Sequence, residues 1–145
     1  MPQRDAAASL RPALDFAAKA LGLALPDAQR DTLLAYLQLL QRWNATYNLT
    51  SVRDPAQMLT QHLADCLAVV GPLRRQLGAG ASRRILDVGS GGGLPGIVLA
   101  LADPAWDVTC VDAVGKKAAF VRQVAAELGL PNLHAMHARV EVLPA

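Results

Sequence analysis

Cysteine is nearly missing from this sequence. Cys66 and Cys110 are the only two, they lie in apolar surroundings, and no metal-type spacing joins them. That argues against a disulfide framework or a zinc site and predicts two buried free thiols. Charge of one sign is also lacking. A net charge of +2 is too small to identify a partner, although a local basic patch can hide inside it. No apolar signal core opens the chain, because Arg4, Asp5, Arg11, Asp15 and Lys19 interrupt it. No apolar run is long enough to span a bilayer. Repeats and low-complexity tracts are absent beyond a general richness in alanine. What is there is a globular composition, 52% hydrophobic and 18% charged, over 145 residues, which suits a real core in an ordinary domain. A reduced, cytoplasmic protein with no membrane and no metal is the expectation. Asn44-Ala45-Thr46 and Asn48-Leu49-Thr50 match the glycosylation pattern, which matters only after secretion.

Two periodicities divide the chain. Helical spacing comes first. Leu10, Leu14, Ala17, Ala18 and Leu21 predict a helix with Ser9 as N-cap and Gly22 as stop. A second helix is expected from Asp27 to about Trp43, with Leu33, Leu34, Leu37 and Leu40 buried. Asn44 to Ser51 reads as polar and turn-rich. Asp54-Pro55-Ala56-Gln57 opens a third helix, buried through Leu59, Leu63, Cys66, Leu67 and Val70 and stopped by Gly71-Pro72. Residues 78–82 read as a linker. Strands then alternate with helices. Residues 85–88, 108–111 and 133–138 are predicted strands. Residues 96–102 and 116–128 are predicted helices, the second burying Ala119, Phe120, Val121, Val124 and Leu128 and ending at Gly129. Strand–helix–strand–helix–strand is the pattern of an α/β fold with a parallel sheet. Two regions follow: residues 1–77, helical, and residues 83–145, half of an α/β domain.

The stretch Asp87-Val88-Gly89-Ser90-Gly91-Gly92-Gly93-Leu94-Pro95-Gly96 carries most of the functional information. Glycines after a first strand let backbone approach a ligand beyond the carboxyl ends of the sheet. Residues 91–96 fit G-x-G-x-x-G, a dinucleotide pattern, and residues 89–93 fit G-x-G-x-G, its S-adenosylmethionine counterpart. Two features favour the second. Asp87 is a carboxylate able to anchor the turn or meet an ammonium group. Pro95 removes a backbone N–H that a pyrophosphate would use. A glycine turn kept only for packing is the third reading. Asp112 ends the second strand, where a carboxylate can accept both hydroxyls of a ribose, cap the next helix, or do both. Arg139-Val140-Glu141 follows the third strand. There a Val140 N–H and the Glu141 carboxylate can meet an adenine edge.

These residues, taken in order, resemble one family. Trp43-Asn44-Ala45-Thr46-Tyr47-Asn48-Leu49-Thr50-Ser51-Val52-Arg53-Asp54 and His62-Leu63-Ala64-Asp65 precede the glycine turn with its Leu94-Pro95-Gly96 ending. Asp112-Ala113-Val114-Gly115-Lys116-Lys117 and Ala138-Arg139-Val140-Glu141 complete the series. From about Asp27 onward the chain is similar to the bacterial ribosomal RNA small subunit methyltransferase G family, also called glucose-inhibited division protein B. The resemblance implies a Rossmann-like class I methyltransferase sheet, with helices on both faces and an N-terminal helical cap. It implies methyl transfer from S-adenosylmethionine to N7 of a guanine in 16S ribosomal RNA. The partner would be that RNA or the small ribosomal subunit, and the full-length protein a monomer. Gly89, Leu94, Val140 and Glu141 would line the cofactor site by the family pattern, with Gly91 and Asp112 as neighbours.

Two departures from the family pattern stand out. Ala113 replaces the serine that usually follows the strand-two aspartate, so one polar contact near the ribose is in question. The family also continues with further strands, one carrying an arginine near the cofactor, whereas this sequence stops at Leu143-Pro144-Ala145. A fragment or a truncated enzyme is therefore expected, with an apolar edge and face left uncovered. A catalytically incomplete cofactor-binding fragment or scaffold, and an NAD-dependent oxidoreductase, are the alternatives to the enzyme. For RNA, Arg53, His62 and Lys116 are candidate phosphate contacts and Tyr47 or Trp43 candidate stacking residues. Trp43 also extends the buried stripe of the second helix. Arg74, Arg75, Arg83 and Arg84 read as a solvated surface, and no side chain is expected to transfer a proton.

Overall fold

The structure is a computed structural model that describes residues 10–47, 49, 57, 63–78, 82–88 and 95–138. Ser9, Asn48, the stretch 50–56, Leu59, His62, residues 89–94 and residues 139–145 lie outside the described residues. Three helices come first: α1 (Arg11–Ala20), α2 (Asp27–Tyr47) and α3 (Asp65–Leu77). Then β1 (Arg83–Val88), α4 (Gly96–Ala102), β2 (Trp106–Asp112), α5 (Gly115–Glu127) and β3 (Leu133–His137) alternate. The expected α/β fold with a parallel sheet is therefore present, and every predicted strand is found.

The helices differ from their predictions at four points. The N-cap position of α1 is Leu10, which offers no side-chain cap. Pro12 in the first turn fits instead, since its missing N–H would have no helical partner. Helix α2 runs four residues past Trp43, to Tyr47. Asn44 is buried, so the polar stretch begins inside the helix and that asparagine is closed to glycosylation. Helix α3 passes through Gly71-Pro72 and ends at Leu77. Proline crowds the Cβ of the residue before it, and Gly71 has none. Tertiary contacts beyond Pro72 then hold the last turn: Leu73 and Leu77 pack on the core. In α5 the buried alanine is Ala118, and Ala119 is only half-buried.

Arg74 also departs from its expected solvated role. Its Nη2 donates to the Ala102 carbonyl at 2.8 Å, and its Nε lies 3.4 Å from Asp103 Oδ2. The guanidinium stands 6.0 Å from the centroid of the buried Trp106 ring. This arginine ties α3 to the turn after α4. Arg75, Arg83 and Arg84 are exposed, as read.

The sheet is parallel, in the order β1-β2-β3. One row of side chains, Ile85↔Val108↔Leu133 and Asp87↔Cys110↔Ala135, faces the helices. Helices α4 and α5 lie on that face, and α2 packs on both of them. Tyr36 and Trp43 of α2 reach the Phe120 ring of α5 at 6.3 and 5.5 Å. Trp43 thus belongs to the core margin, as its spacing suggested. One buried cluster joins the N-terminal helices to the sheet. Each large side chain fully buried there stabilises the fold by roughly 1.5–3 kcal/mol. The opposite row includes Leu86, Val88 and Met136, which are 54%, 50% and 40% exposed. Among the described residues helices therefore cover one face of the sheet, not both. The expected uncovered apolar face is this one.

Candidate functional site

All three strands point their carboxyl ends at one edge, where Val88, Asp112 and His137 stand. The glycine turn leaves β1 at Val88 and rejoins described structure at Pro95. Asp87 closes that excursion. Its Oδ2 accepts the Gly96 N–H at 2.9 Å, across nine positions of sequence. The carboxylate so meets the start of α4, where unpaired amides favour negative charge. Of the two roles read for Asp87, anchoring the turn is therefore in place. Pro95 occupies the N-cap position, where it contributes its carbonyl to Leu99 and no N–H.

Gly96 is required here by space. A Cβ at this position would lie 2.5 Å from Cys110 Sγ and 2.9 Å from Asp87 Oδ2. Helix α4 can approach β1 and β2 this closely only without a side chain at its first residue. The buried Cys110 is thus a packing residue, and neither cysteine is in a disulfide. Cys66 is half-buried rather than buried, and burial with the nearby Asp65 and Asp87 pushes its thiol up to about 12, which makes it a poor nucleophile.

Burial raises the Asp87 carboxyl above its ordinary value. The Gly96 hydrogen bond works against that rise, and the negative charge of Asp112 adds to it. Asp112 is itself 8% exposed. Its Oδ1 accepts the Val114 N–H at 2.8 Å, which shapes the turn into α5, and its carbonyl accepts the Ala138 N–H at 3.1 Å. The Val114 bond closes a turn ahead of the helix. The N-cap of α5 is Val114, with no side-chain cap, so the capping role considered for Asp112 is not the one found. Two acids close enough to influence each other stand at neighbouring strand tips. That edge suits a cation or a hydroxylated group and opposes a phosphate. Beneath it lies Tyr36, fully buried, whose phenol is raised well above its ordinary value by burial and by the nearby Cys66, Cys110 and Asp87.

Of the other residues singled out from sequence, Lys116 is exposed in the first turn of α5. Tyr47 is exposed at the end of α2, its ring 5.2 Å from that of Trp43. Gly89, Gly91, Leu94, Val140, Glu141, Arg53 and His62 lie outside the described residues. Sequence reasoning missed His137 and Gly115. The His137 Nε2 lies 3.0 Å from the Ala113 carbonyl, and a Cβ on Gly115 would lie 3.2 Å from its Cε1. A glycine three residues after Asp112 was the available signal. Among the described residues no group of three or more His, Cys, Asp or Glu could hold a metal, and no helix is long and apolar enough to cross a membrane.

A family profile described as rRNA small subunit methyltransferase G matches residues 29–144. The chain belongs to that family. Ribosomal RNA small subunit methyltransferase G of Bordetella avium (strain 197N) is 60% identical over 146 residues, a match covering 100% of this chain and 64% of that protein. The methyltransferase G of Leptothrix cholodnii (strain ATCC 51168 / LMG 8142 / SP-6) is 64% identical over 126 residues, 87% of this chain and 57% of that protein. The chain thus spans about three fifths of the length of these two curated methyltransferase G relatives. A solved coclaurine N-methyltransferase, bound to N-methylheliamine and SAH, aligns with 99% of this chain and 41% of its own. At 13% identity and a TM-score of 0.48 that likeness adds nothing to the family assignment.

Proposed function

We propose that this chain carries the N-terminal part of an S-adenosylmethionine site used to methylate N7 of a guanine in 16S ribosomal RNA, in the cytoplasm where that RNA resides. The observation that carries the reading is the pair of acids Asp87 and Asp112 at adjacent strand tips, flanking the start of the glycine turn in a member of this family. The donor set fits the cofactor. A half-buried carboxylate and a buried one suit an ammonium group, a sulfonium and a ribose diol. They repel a pyrophosphate, and Pro95 withholds the N–H that a pyrophosphate would take.

In this reading Asp112 accepts the ribose hydroxyls while it holds Val114. Gly89, Gly91 and Leu94 form the bend over the methionine moiety, with Asp87 keeping the bend closed on α4. Val140 and Glu141 meet the adenine edge. Bound S-adenosylmethionine supplies a methyl group already activated by positive sulfur. Guanine N7 offers an accessible lone pair and needs no general base. The side chains of this chain therefore bind and orient, and alignment in line can lower the barrier by several kcal/mol. Residues 1–77 act as the helical region that buttresses this edge, and residues 83–145 as the site-bearing half. Arg53, His62 and Lys116 contact RNA phosphates, and Tyr47 stacks on a base. Lys116 and Lys117 stand at a helix N-terminus, where the macrodipole disfavours cations. Helix stability does not explain them, which supports a phosphate contact.

The open row of Leu86, Val88 and Met136, with the coverage of the relatives, favours a second reading: a cofactor-binding fragment without turnover. Two measurements separate these. Calorimetry with S-adenosylhomocysteine and with NAD should show heat with the first only; binding of NAD alone would overturn the cofactor. Transfer of labelled methyl to unmethylated small-subunit RNA marks an enzyme, and binding without transfer marks the fragment.

A further inference from the structure

A side chain at the end of β3 reaches the Asp112 turn beyond the ladder of the sheet. In the parallel register His137 is the partner of Asp112. The Ala138 N–H donates to the Asp112 carbonyl at 3.1 Å, the ladder bond of that pair. The His137 Nε2 lies 3.0 Å from the Ala113 carbonyl. A carbonyl only accepts, so Nε2 carries a proton in this contact. The imidazole is seated over Gly115, where any Cβ would come within 3.2 Å of Cε1. Asp112 Oδ1 holds Val114 in turn. Residue 112 is thus held by the ladder, residue 113 by the His137 side chain, and residue 114 by Asp112 itself.

We propose that His137 is a positioning residue for the ribose-binding carboxylate, with its imidazole lying against Gly115. The inference rests on the cofactor reading above. A diol contact is directional, so the direction of the Asp112 carboxylate sets its strength. That direction follows from the turn 112–115. His137 is exposed, so loss of its hydrogen bond costs the fold little; its consequence is the freedom given to the turn. Ala113 brings no side-chain hydroxyl to this turn, which makes the bond to its carbonyl the side-chain tie from β3.

The test is calorimetry of S-adenosylhomocysteine binding to the chain and three variants, with thermal melts of each without ligand. His137→Ala should weaken binding about three- to tenfold, the range of one hydrogen bond, with the melt nearly unchanged. His137→Gln keeps a terminal N–H donor and should bind within about twofold of the unsubstituted chain. In an Asp112→Ala background the His137→Ala change should have no further effect, because the two act as one unit. Equal affinity in His137→Ala overturns the proposal. So does failure of glutamine to restore binding, or an undiminished His137→Ala effect without Asp112. No heat with the unsubstituted chain overturns the cofactor reading and this inference together; heat there with unchanged His137→Ala overturns the inference alone.

Discussion

Two carboxylates, Asp15 in the helical region and Asp87 in the sheet, are held in opposite ways. Asp15, on α1, accepts from Arg11 at 3.1 Å and from Arg30 at 2.8 Å, and Arg11 also reaches Asp27 and Asp31 on α2. Partial burial pushes its carboxyl up, but the hydrogen bonds and charges of Arg11 and Arg30 outweigh that, and the net shift is downward. Asp87 faces a backbone amide and another acid. Burial dominates there, and the net shift is upward. The first acid is placed where its charge helps the fold. The second is placed where its charge is costly until a cation or donor arrives. Carboxylates of that second kind mark binding sites.

The contrast breaks most visibly at Gly96. Gly96→Val drives a branched side chain into Cys110 and Asp87 and should destabilise the chain by about 2–3 kcal/mol, read as a lower urea midpoint, with cofactor binding lost. Asp112→Ala comes next. It removes a charged acceptor, so S-adenosylhomocysteine should bind about tenfold to a hundredfold more weakly, and unchanged affinity by calorimetry would remove Asp112 from the ribose. Acidity sharpens the comparison further. Between the ordinary carboxylate value and the raised Asp87 value, the folded chain keeps a proton that the unfolded chain has released. Stability from Asp87 therefore falls as pH rises through that window. For Asp15 the folded chain is ionised where the unfolded chain is protonated, so stability falls as pH drops. Asp87→Asn retains an acceptor for Gly96 and should abolish the first trend in melts from about pH 3 to about pH 7. Asp15→Asn should abolish only the acid-side trend. Its melting point at neutral pH should fall by no more than about 2 °C, the smallest change expected, because ion pairs still reached by solvent contribute little.

Much of this was legible in the residues. The three strands, the helix start at Pro95 and the stop at Gly129 follow from periodicity and from the local demands of proline and glycine. The family likeness rested on ordered short stretches from Trp43 to Glu141, and the family profile covers that span. Where reading failed, a distant contact had overridden a local rule. Gly71-Pro72 looked like a stop, yet Arg74 on Asp103 and Ala102 carries α3 past it. Asn44 looked like the start of a turn, yet it is buried within α2. His137 had no motif around it at all, since its hydrogen-bond partner lies 24 positions back, in the turn after β2.

By itself the sequence determined the order of elements, the place of the glycine bend and the two acids beside it, because each depends on neighbours a few positions away. Only the tertiary structure decided which face of the sheet is covered, why Gly96 admits no side chain, and that His137 meets the Asp112 turn. Those outcomes arise where strands and helices distant along the chain come within van der Waals reach, and no local pattern encodes such distances.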